Sequence, residues 1–121
     1  MSVETSFRAL LAGYAPLTSL VGTRIALNAV PEGGAAPVVV FSTTHDRTFG
    51  LDRVLAVDRC TIEVQCWAET AAGADAVADA VIAAVATASA TAGASVQARS
   101  TTFDPDLGLD ATVLIVEWWV T

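Results

Sequence analysis

The stretch that most constrains the fold runs from Val57 to Ala68, and an alanine-rich segment follows it directly. Apolar and polar residues alternate along this stretch, which is the period-two pattern of a strand with one buried and one polar face. The apolar set is Cys60, Ile62, Val64 and Cys66, and the other set is Arg59, Thr61, Glu63, Gln65 and Trp67. We therefore expect the central strand of a sheet, with its cysteine face in the core.

The rest of the chain supplies more strands and three helical segments. Strands are predicted over 38–44, 94–103 and 111–120 and a short strand over 24–27, with a polar hairpin connection over 45–52. Two short N-terminal helices are predicted, the first ending near Gly13 and the second spanning Leu17 to Val21. A long helix begins at the N-cap Thr70 and fades over residues 87–93. The pattern indicates an α+β fold, an antiparallel sheet of about four main strands with the long helix and the short N-terminal helices packed on one face.

Length and composition indicate one folded domain over residues 1–121. The chain has 121 residues, of which 54% are hydrophobic and 16% charged, so it can bury one core. The formal net charge is -7, and all six basic residues are arginines, which argues against adhesion to nucleic acid. No apolar run approaches the roughly 20 residues of a membrane span, and no signal peptide is visible. We expect a soluble protein made in the cytoplasm, with no membrane partner.

The residues that carry chemistry do not form a catalytic or metal-binding pattern. His45 is the single histidine, which excludes histidine pairs, and a lone loop histidine is usually a surface residue. Cys60 and Cys66 lie about 20 Å apart on one strand, too far to form a disulfide, and on an apolar face their thiolates are disfavoured. The segment from Asp104 to Gly108 has the residues of a tight turn rather than of a calcium loop. We predict no catalytic residue, no cofactor and no metal.

The carboxylates and tryptophans on the predicted strands can each have more than one role. Glu63 and Glu117 could be paired carboxylates of a glycosidase-like site, but solvated or interface-facing carboxylates fit the pattern better. The three tryptophans, Trp67, Trp118 and Trp119, fit core packing and an interface role about equally well.

Taken in order, several segments resemble the small tail-completion, or tail-terminator, proteins of long-tailed phages and gene transfer agents. The matching segments are residues 9–12, 17–25 and 31–41, then Ile62 to Ala68 with the helix after it, and Asp104 to Leu109 before the last strand. The chain departs from the family pattern after Ile25, where the proline is delayed to Pro31, and at its end, where two tryptophans replace a single aromatic. The family has no catalytic motif to carry over.

The resemblance implies a structural role as an expectation. A ring of six copies would cap the head-proximal end of the tail tube, stop tail growth and meet the head connector, with DNA passing through without specific binding. The partners are then other copies of the chain, the tail tube protein and the connector or adaptor, and the location is the virion or phage-like particle. Six copies at -7 each carry a formal charge of -42, which would let DNA slide through the lumen.

Two groups of residues follow as candidate contact sites. The subunit or partner interface set is Asp46, Arg47, Asp52, Arg53, Trp118 and Trp119. The lumen or interface set, on the polar face of the central strand, is Arg59, Glu63, Gln65 and Trp67. The alternatives are a head-to-tail adaptor or stopper, and from another class a small α+β ligand-binding domain or enzyme with the same layout.

Overall fold

The structure is a computed structural model that describes residues 3–22, 24–27, 36–49, 55–106 and 108–120. Within these ranges, the side chains of 46–49, 55–58, 89–92 and 119–120 are outside the description. Predictions that concern Asp52 and Arg53 therefore lie outside the described residues, and those for Asp46, Arg47 and Trp119 concern their backbone alone.

Three helices form where the sequence predicts them, with one difference in length. They are α1 (Val3–Ala12), α2 (Ala15–Val21) and α3 (Ala71–Ala92). Thr70 caps α3 by accepting a 3.0 Å hydrogen bond from the Gly73 amide, and Gly93 ends it in the left-handed region at φ 62°. The prediction that this helix fades over 87–93 is wrong, because it continues to Ala92. Buried alanines such as Ala84 and Ala88 continue the stripe that packs on the sheet, and this packing outweighs weak local propensity.

The sheet has five strands, which are the four main strands that the sequence predicts and the short strand predicted near residues 24–27. The strands are β1 (Ile25–Leu27), β2 (Val38–Phe49), β3 (Leu55–Ala68), β4 (Ser95–Asp104) and β5 (Leu109–Val120). They lie in the order β1-β2-β3-β5-β4, so the predicted central strand β3 is indeed in the middle. The α+β class is confirmed. The sheet is mixed rather than purely antiparallel, because β1 pairs in parallel with β2 and the other neighbouring strands pair antiparallel.

The β2–β3 hairpin extends well into the region predicted as a polar connection. Its pairing continues from Val38 opposite Trp67 out to Phe49 opposite Leu55, with a bulge between Thr48 and Phe49. The prediction of a long exposed connection over 45–52 is therefore wrong for residues 45–49, which are strand. The backbones of β2 and β3 pair there although the sequence is polar. Antiparallel strands tolerate polar side chains, because one face of such a sheet can be in contact with water.

All three helices pack on one face of the sheet, as predicted. The buried sheet residues beneath them are Ile25, Val39, Phe41, Cys60, Ile62, Val64, Cys66, Leu114, Val116 and Trp118. The helical residues in the same cluster are Val3, Phe7, Leu11, Leu17, Val21, Val77, Ala78, Val81, Ala84, Val85 and Ala88. We call this side of the sheet the covered face and the other side the open face. Both cysteines are free and buried in the covered face, as predicted.

Helix α3 is long and predominantly apolar. Its residues 71–88 have a mean hydropathy of 1.5, so by length and composition alone the helix could cross a membrane. The sequence-based statement that no segment approaches such a length is therefore too strong. A core helix has the same composition, and here Val77, Ala78 and Val81 are fully or almost fully buried against the sheet.

The β4–β5 connection is the tight turn that the sequence predicts. Gly108 has a φ of 66°, and its amide donates a 2.8 Å hydrogen bond to the Asp104 carbonyl. The Asp104 carboxylate also accepts a 2.9 Å bond from the Asp106 amide, so the turn is closed twice. The strand that enters it, β4, is the edge strand next to β5.

Candidate assembly surfaces

A row of hydrogen-bonded polar side chains runs along β3 on the open face. The Trp67 indole Nε1–H donates to Gln65 Oε1 at 3.1 Å, and Gln65 Nε2 donates to Glu63 Oε1 at 3.2 Å. These residues are two apart in sequence, so the pleat places them on one face. We call Trp67, Gln65 and Glu63 the polar ladder. Glu63 lies at the end of the polar ladder, and its carboxylate can accept further hydrogen bonds.

The tryptophan end of the polar ladder is anchored by a second, smaller apolar cluster. Trp67 is only 8% exposed, and Gln65 and Glu63 are half-buried. The cluster contains Val38, Val40, Trp67 and Ala111, with Leu109 packed against it. Trp67 therefore has a packing role and a hydrogen-bonding role at once, as amphipathic aromatic side chains commonly do. The anchor restricts the rotamers of Gln65 and Glu63 and holds the carboxylate in place.

A second polar contact lies at the margin of the covered face, where α1 meets β2. Thr43 Oγ1 donates a 2.7 Å hydrogen bond to Glu4 Oε1, and His45 Nε2 lies 3.1 Å from the same oxygen. These contacts lower the pKa of Glu4 to about 2, first through Thr43 and then through His45. His45 is thus not a free surface residue but part of the seam that attaches α1 to the sheet. Sequence analysis missed this role, because the two partners are 39 and 41 positions away.

The edge strand β4 is attached to α3 by a charged contact. Arg99 donates to Asp79 at 2.7 Å and to Asp75 at 3.1 Å, and Thr112 Oγ1 donates to the same Asp75 oxygen at 2.8 Å. The hydrogen bonds from Thr112 and Arg99 lower the pKa of Asp75. Both carboxylates stay largely exposed, and they bind Arg99 because the sheet places it opposite their helical face.

The structure places several of the predicted contact residues opposite one another on neighbouring strands. Arg59 pairs with Asp46 on β2 and with Trp119 on β5, so three predicted residues form one row across three strands. Arg47 lies in the next row, opposite Asp58. Glu63, Gln65 and Trp67 lie farther along β3, as the polar ladder. The backbones of Asp46, Arg47 and Trp119 therefore lie beside the lumen set on one sheet.

Trp118 has a different environment from the other predicted interface residues. It is 7% exposed, belongs to the core cluster and packs edge-to-face on Phe7 with ring centroids 5.9 Å apart. Its indole is therefore already used in the core of the subunit. An apolar side chain that the sequence analysis did not single out is more accessible, namely Phe103 on β4, which is 56% exposed. The signal was present, since Phe103 is the one aromatic residue in a polar strand.

Three clefts formed by described residues each have at most one charged residue among their described lining residues. A cleft of about 400 Å³ lies between α1, α2 and β1, and Arg8 is the charged residue among its described lining residues. In the described part of the chain, no three His, Cys, Asp or Glu side chains are placed to hold a metal ion. Burial raises the pKa of the Cys66 thiol to about 12, so it is protonated at neutral pH and is a poor nucleophile.

Comparison with known proteins agrees with this architecture. The family model described as tail completion protein gp17 matches residues 5–121 of the chain. Among solved structures, a chain from the virion of a native gene transfer agent particle shares the fold, with a TM-score of 0.69 and 22% sequence identity. The superposition covers 98% of this chain and 94% of that one. A search of curated proteins finds no match.

The family model matches almost every segment that builds the sheet, from α1 to the end of β5, so the match concerns the whole fold and not one motif. The covered face, the polar ladder and the edge strand all lie within it. The chain belongs to the tail completion protein gp17 family and is a structural subunit of a phage or phage-like particle.

Proposed function

We propose that the chain is a tail terminator, which closes into a ring of six copies at the head-proximal end of the tail tube. The ring stops tail polymerisation and joins the tail to the head connector. The observation that carries this proposal is the family match over residues 5–121, which includes every described helix and strand except the first residues of α1. The solved neighbour from a gene transfer agent virion supports the fold on which the proposal depends.

The open face supports an assembly role. Its polar ladder is satisfied by internal hydrogen bonds, so the isolated subunit can expose this face to water. The half-buried Val113 and Ile115 on β5 flank the ladder, because they pair with Gln65 and Glu63. A face that combines satisfied polar groups with accessible aliphatic groups is suited to reversible association between subunits. We infer that this face meets another subunit or lines the lumen of the ring.

Electrostatics support passage of DNA without adhesion. Each subunit carries -7, and Glu63 is held in a defined position at the end of the polar ladder. A ring of acidic subunits repels the phosphate backbone at short range, which favours sliding over binding. In this proposal the subunit has a structural role rather than a catalytic one, and it requires no cofactor, metal or membrane.

Deleting the gene and inspecting the particles by negative-stain microscopy tests the proposal. A terminator predicts overlong tails without heads, because tube growth is no longer stopped. Filled heads that lose their DNA would instead indicate the alternative, a head-to-tail adaptor or stopper. Normal particles would overturn both functions and would favour a ligand-binding domain or enzyme. Complementation with the intact gene is the control.

A further inference from the structure

The two edges of the sheet differ in charge. Strands β1 and β4 are the outermost strands in the described part of the chain, so they lie at opposite edges. Residues 1–27, which include α1, α2 and β1, contain Arg8, Arg24 and one acidic residue, Glu4, so their formal charge is +1. Residues 100–121, from the middle of β4 to the last residue, contain four acidic residues and no basic one. The acidic subunit therefore has a weakly basic edge and a strongly acidic edge.

The basic edge contains the open cleft between α1, α2 and β1. Its volume is about 400 Å³, and its described lining residues are Arg8, Ala12, Thr18, Gly22 and Ile25. The cleft beside the start of α3 has Glu69 as its charged residue, and the cleft beside the start of β4 is uncharged, in both cases among the described lining residues. The α1–α2–β1 cleft is therefore the one of these three that attracts an anionic group.

A second cation and an exposed apolar side chain lie next to this cleft. Arg24 Nη1 is 3.9 Å from the position that a Cβ would occupy at Gly22, which lines the cleft. Leu27 lies two residues after Ile25, so the pleat places both on the same side of β1, and Leu27 is 41% exposed. An apolar cleft with guanidinium groups at its margin is suited to an aromatic side chain that has a carboxylate close by.

The acidic edge presents such a combination. Phe103 is 56% exposed at the end of β4, and Asp104, Pro105 and Asp106 follow it. We call residues 103–106 the acidic turn. The Asp106 amide donates a 2.9 Å hydrogen bond to the Asp104 carboxylate, which fixes the shape of the turn, and the side chain of Asp106 is exposed. An exposed aromatic ring and an exposed carboxylate are thus held together on one preformed turn.

The ring of Phe103 lies on the same side of the sheet as the cleft. Phe103 is opposite Asp110 in β5, and Asp110 is two residues before Thr112, whose hydroxyl binds Asp75 on α3. Because residues opposite each other, and residues two apart, share one face of a sheet, Phe103 belongs to the covered face. The helices that form the cleft lie on this face too, so two copies placed edge to edge can bring the two surfaces together.

The charge of the chain favours a second copy as the occupant of the cleft. Two copies that each carry -7 repel each other unless surfaces of opposite charge meet. Placing the acidic turn of one copy at the basic edge of the next converts this repulsion into a local attraction, since Asp106 then lies beside Arg8. The exposed Phe103 loses its contact with water in the same step.

We propose that the acidic turn of one subunit docks in the α1–α2–β1 cleft of the next copy, with Phe103 in the cleft and Asp106 paired with Arg8. This inference rests on the proposed ring and specifies its contact. The two surfaces lie at opposite edges of one sheet, so the contact is heterologous. Each subunit then gives its turn to one neighbour and its cleft to the other, which generates a ring.

The aromatic part of the contact is tested with Phe103→Ala in a strain that lacks the chromosomal gene. The amount of subunit in purified particles, measured by immunoblot, should fall at least about tenfold, because an aromatic anchor in a pocket is a typical interface hot spot. Thr101→Ala is the matched control, since Thr101 is exposed two residues earlier on the same side of β4, and it should leave incorporation unchanged. Circular dichroism of both variants should match that of the unmodified chain.

The charged part is tested by exchanging the two charges. Asp106→Arg and Arg8→Glu alone should each lower incorporation by about threefold or more, because like charges then meet at every contact of the ring. The variant with both substitutions should recover most of the loss, since the ion pair is restored with its partners exchanged. Both side chains are exposed in the subunit, so folding should be unaffected.

Three results would overturn the contact and leave the proposed function standing. They are normal incorporation of Phe103→Ala, a double charge variant that is no better than the single ones, and a stable dimer that Phe103→Ala dissociates while particles stay normal. The dimer would place Phe103 in the uncharged cleft beside the start of the partner's β4, as a two-fold contact. Failure of the unmodified chain to enter any ring or particle would overturn the proposed function as well.

Discussion

On the covered face, Ile62, Val64 and Leu114 are fully buried, whereas Glu63 and Ile115 on the open face remain half-buried. Three helices exclude water from the first face, and the polar ladder makes the second face compatible with water. The same strand, β3, contributes to both. The comparison shows how one strand can serve two environments, because its apolar residues lie under the helices and its polar residues on the open face are hydrogen-bonded to one another.

The difference also separates the two tasks of the subunit. Apolar burial on the covered face stabilises the fold, because it removes large side chains from water without directional requirements. The open face has the smaller buried cluster, and in the proposed ring it is the face that contacts other subunits or lines the lumen. Substitutions on the two faces should accordingly affect different measurements.

The largest expected effect is on the covered face, with Phe7→Ala. Phe7 is fully buried, and its ring packs on Phe41 and Trp118 with centroids 5.2 and 5.9 Å away. Removing it detaches α1 from the sheet and leaves a cavity, at a cost of about 3–5 kcal/mol in the free energy of unfolding. Urea denaturation followed by circular dichroism measures this cost. Arg8→Ala, at the exposed neighbouring position, is the control and should change stability by less than about 0.5 kcal/mol.

A smaller effect is expected at the margin of the covered face, with Glu4→Gln. The pKa of Glu4 is lowered from 4.5 to about 2, so its stabilising contribution is complete above pH 4.5 and disappears as the pH falls to about 2. We expect Glu4→Gln to cost about 1 kcal/mol at pH 6, the size of one hydrogen bond, and almost nothing near pH 2. Unfolding curves of both proteins across this pH range provide the measurement. A difference that stays constant with pH would show that the carboxylate charge is not involved.

The smallest effect on stability is expected on the open face, with Glu63→Arg. The change removes one hydrogen bond from Gln65 and should cost about 1 kcal/mol or less, so the subunit stays folded. If Glu63 lines the lumen, six arginines would hold the DNA phosphates and slow DNA ejection from assembled particles. Glu63→Gln is the matched control, because it removes the charge and keeps an oxygen acceptor. Ejection at the normal rate from normally assembled Glu63→Arg particles would contradict the placement of this residue in the lumen.

Much of the fold could be predicted from local patterns. The alternation around Cys60 and Ile62 assigns the two faces of β3 correctly, and the stripe through Val77 and Val81 assigns the buried side of α3. The Asp104–Gly108 turn follows from its residue types. These predictions are correct because the pleat of a strand, the pitch of a helix and the geometry of a turn each depend on about ten neighbouring residues or fewer.

Long-range contacts could not be predicted in the same way. The parallel pairing of β1 with β2 depends on the path of the chain between these two strands. The extension of the β2–β3 hairpin to residues 45–49 depends on which residues of the two strands lie opposite each other. The contacts of Glu4 with His45, and of Arg99 with Asp75, join residues more than twenty positions apart. For the candidate contact residues, alternation assigned Glu63 and Gln65 to the polar face, whereas the hydrogen bonds that link them with Trp67 became visible only with side-chain positions.

The sequence by itself determined the α+β class, the faces of the central strand, the long capped helix and the resemblance to tail-completion proteins. Tertiary structure decided which strands are neighbours and that Trp118 packs in the core. The physical reason is the range of the forces. Backbone conformation and the alternation of side chains depend on neighbouring residues in the sequence. Which strands and helices pack together depends instead on which distant apolar surfaces can be buried against each other in the folded chain.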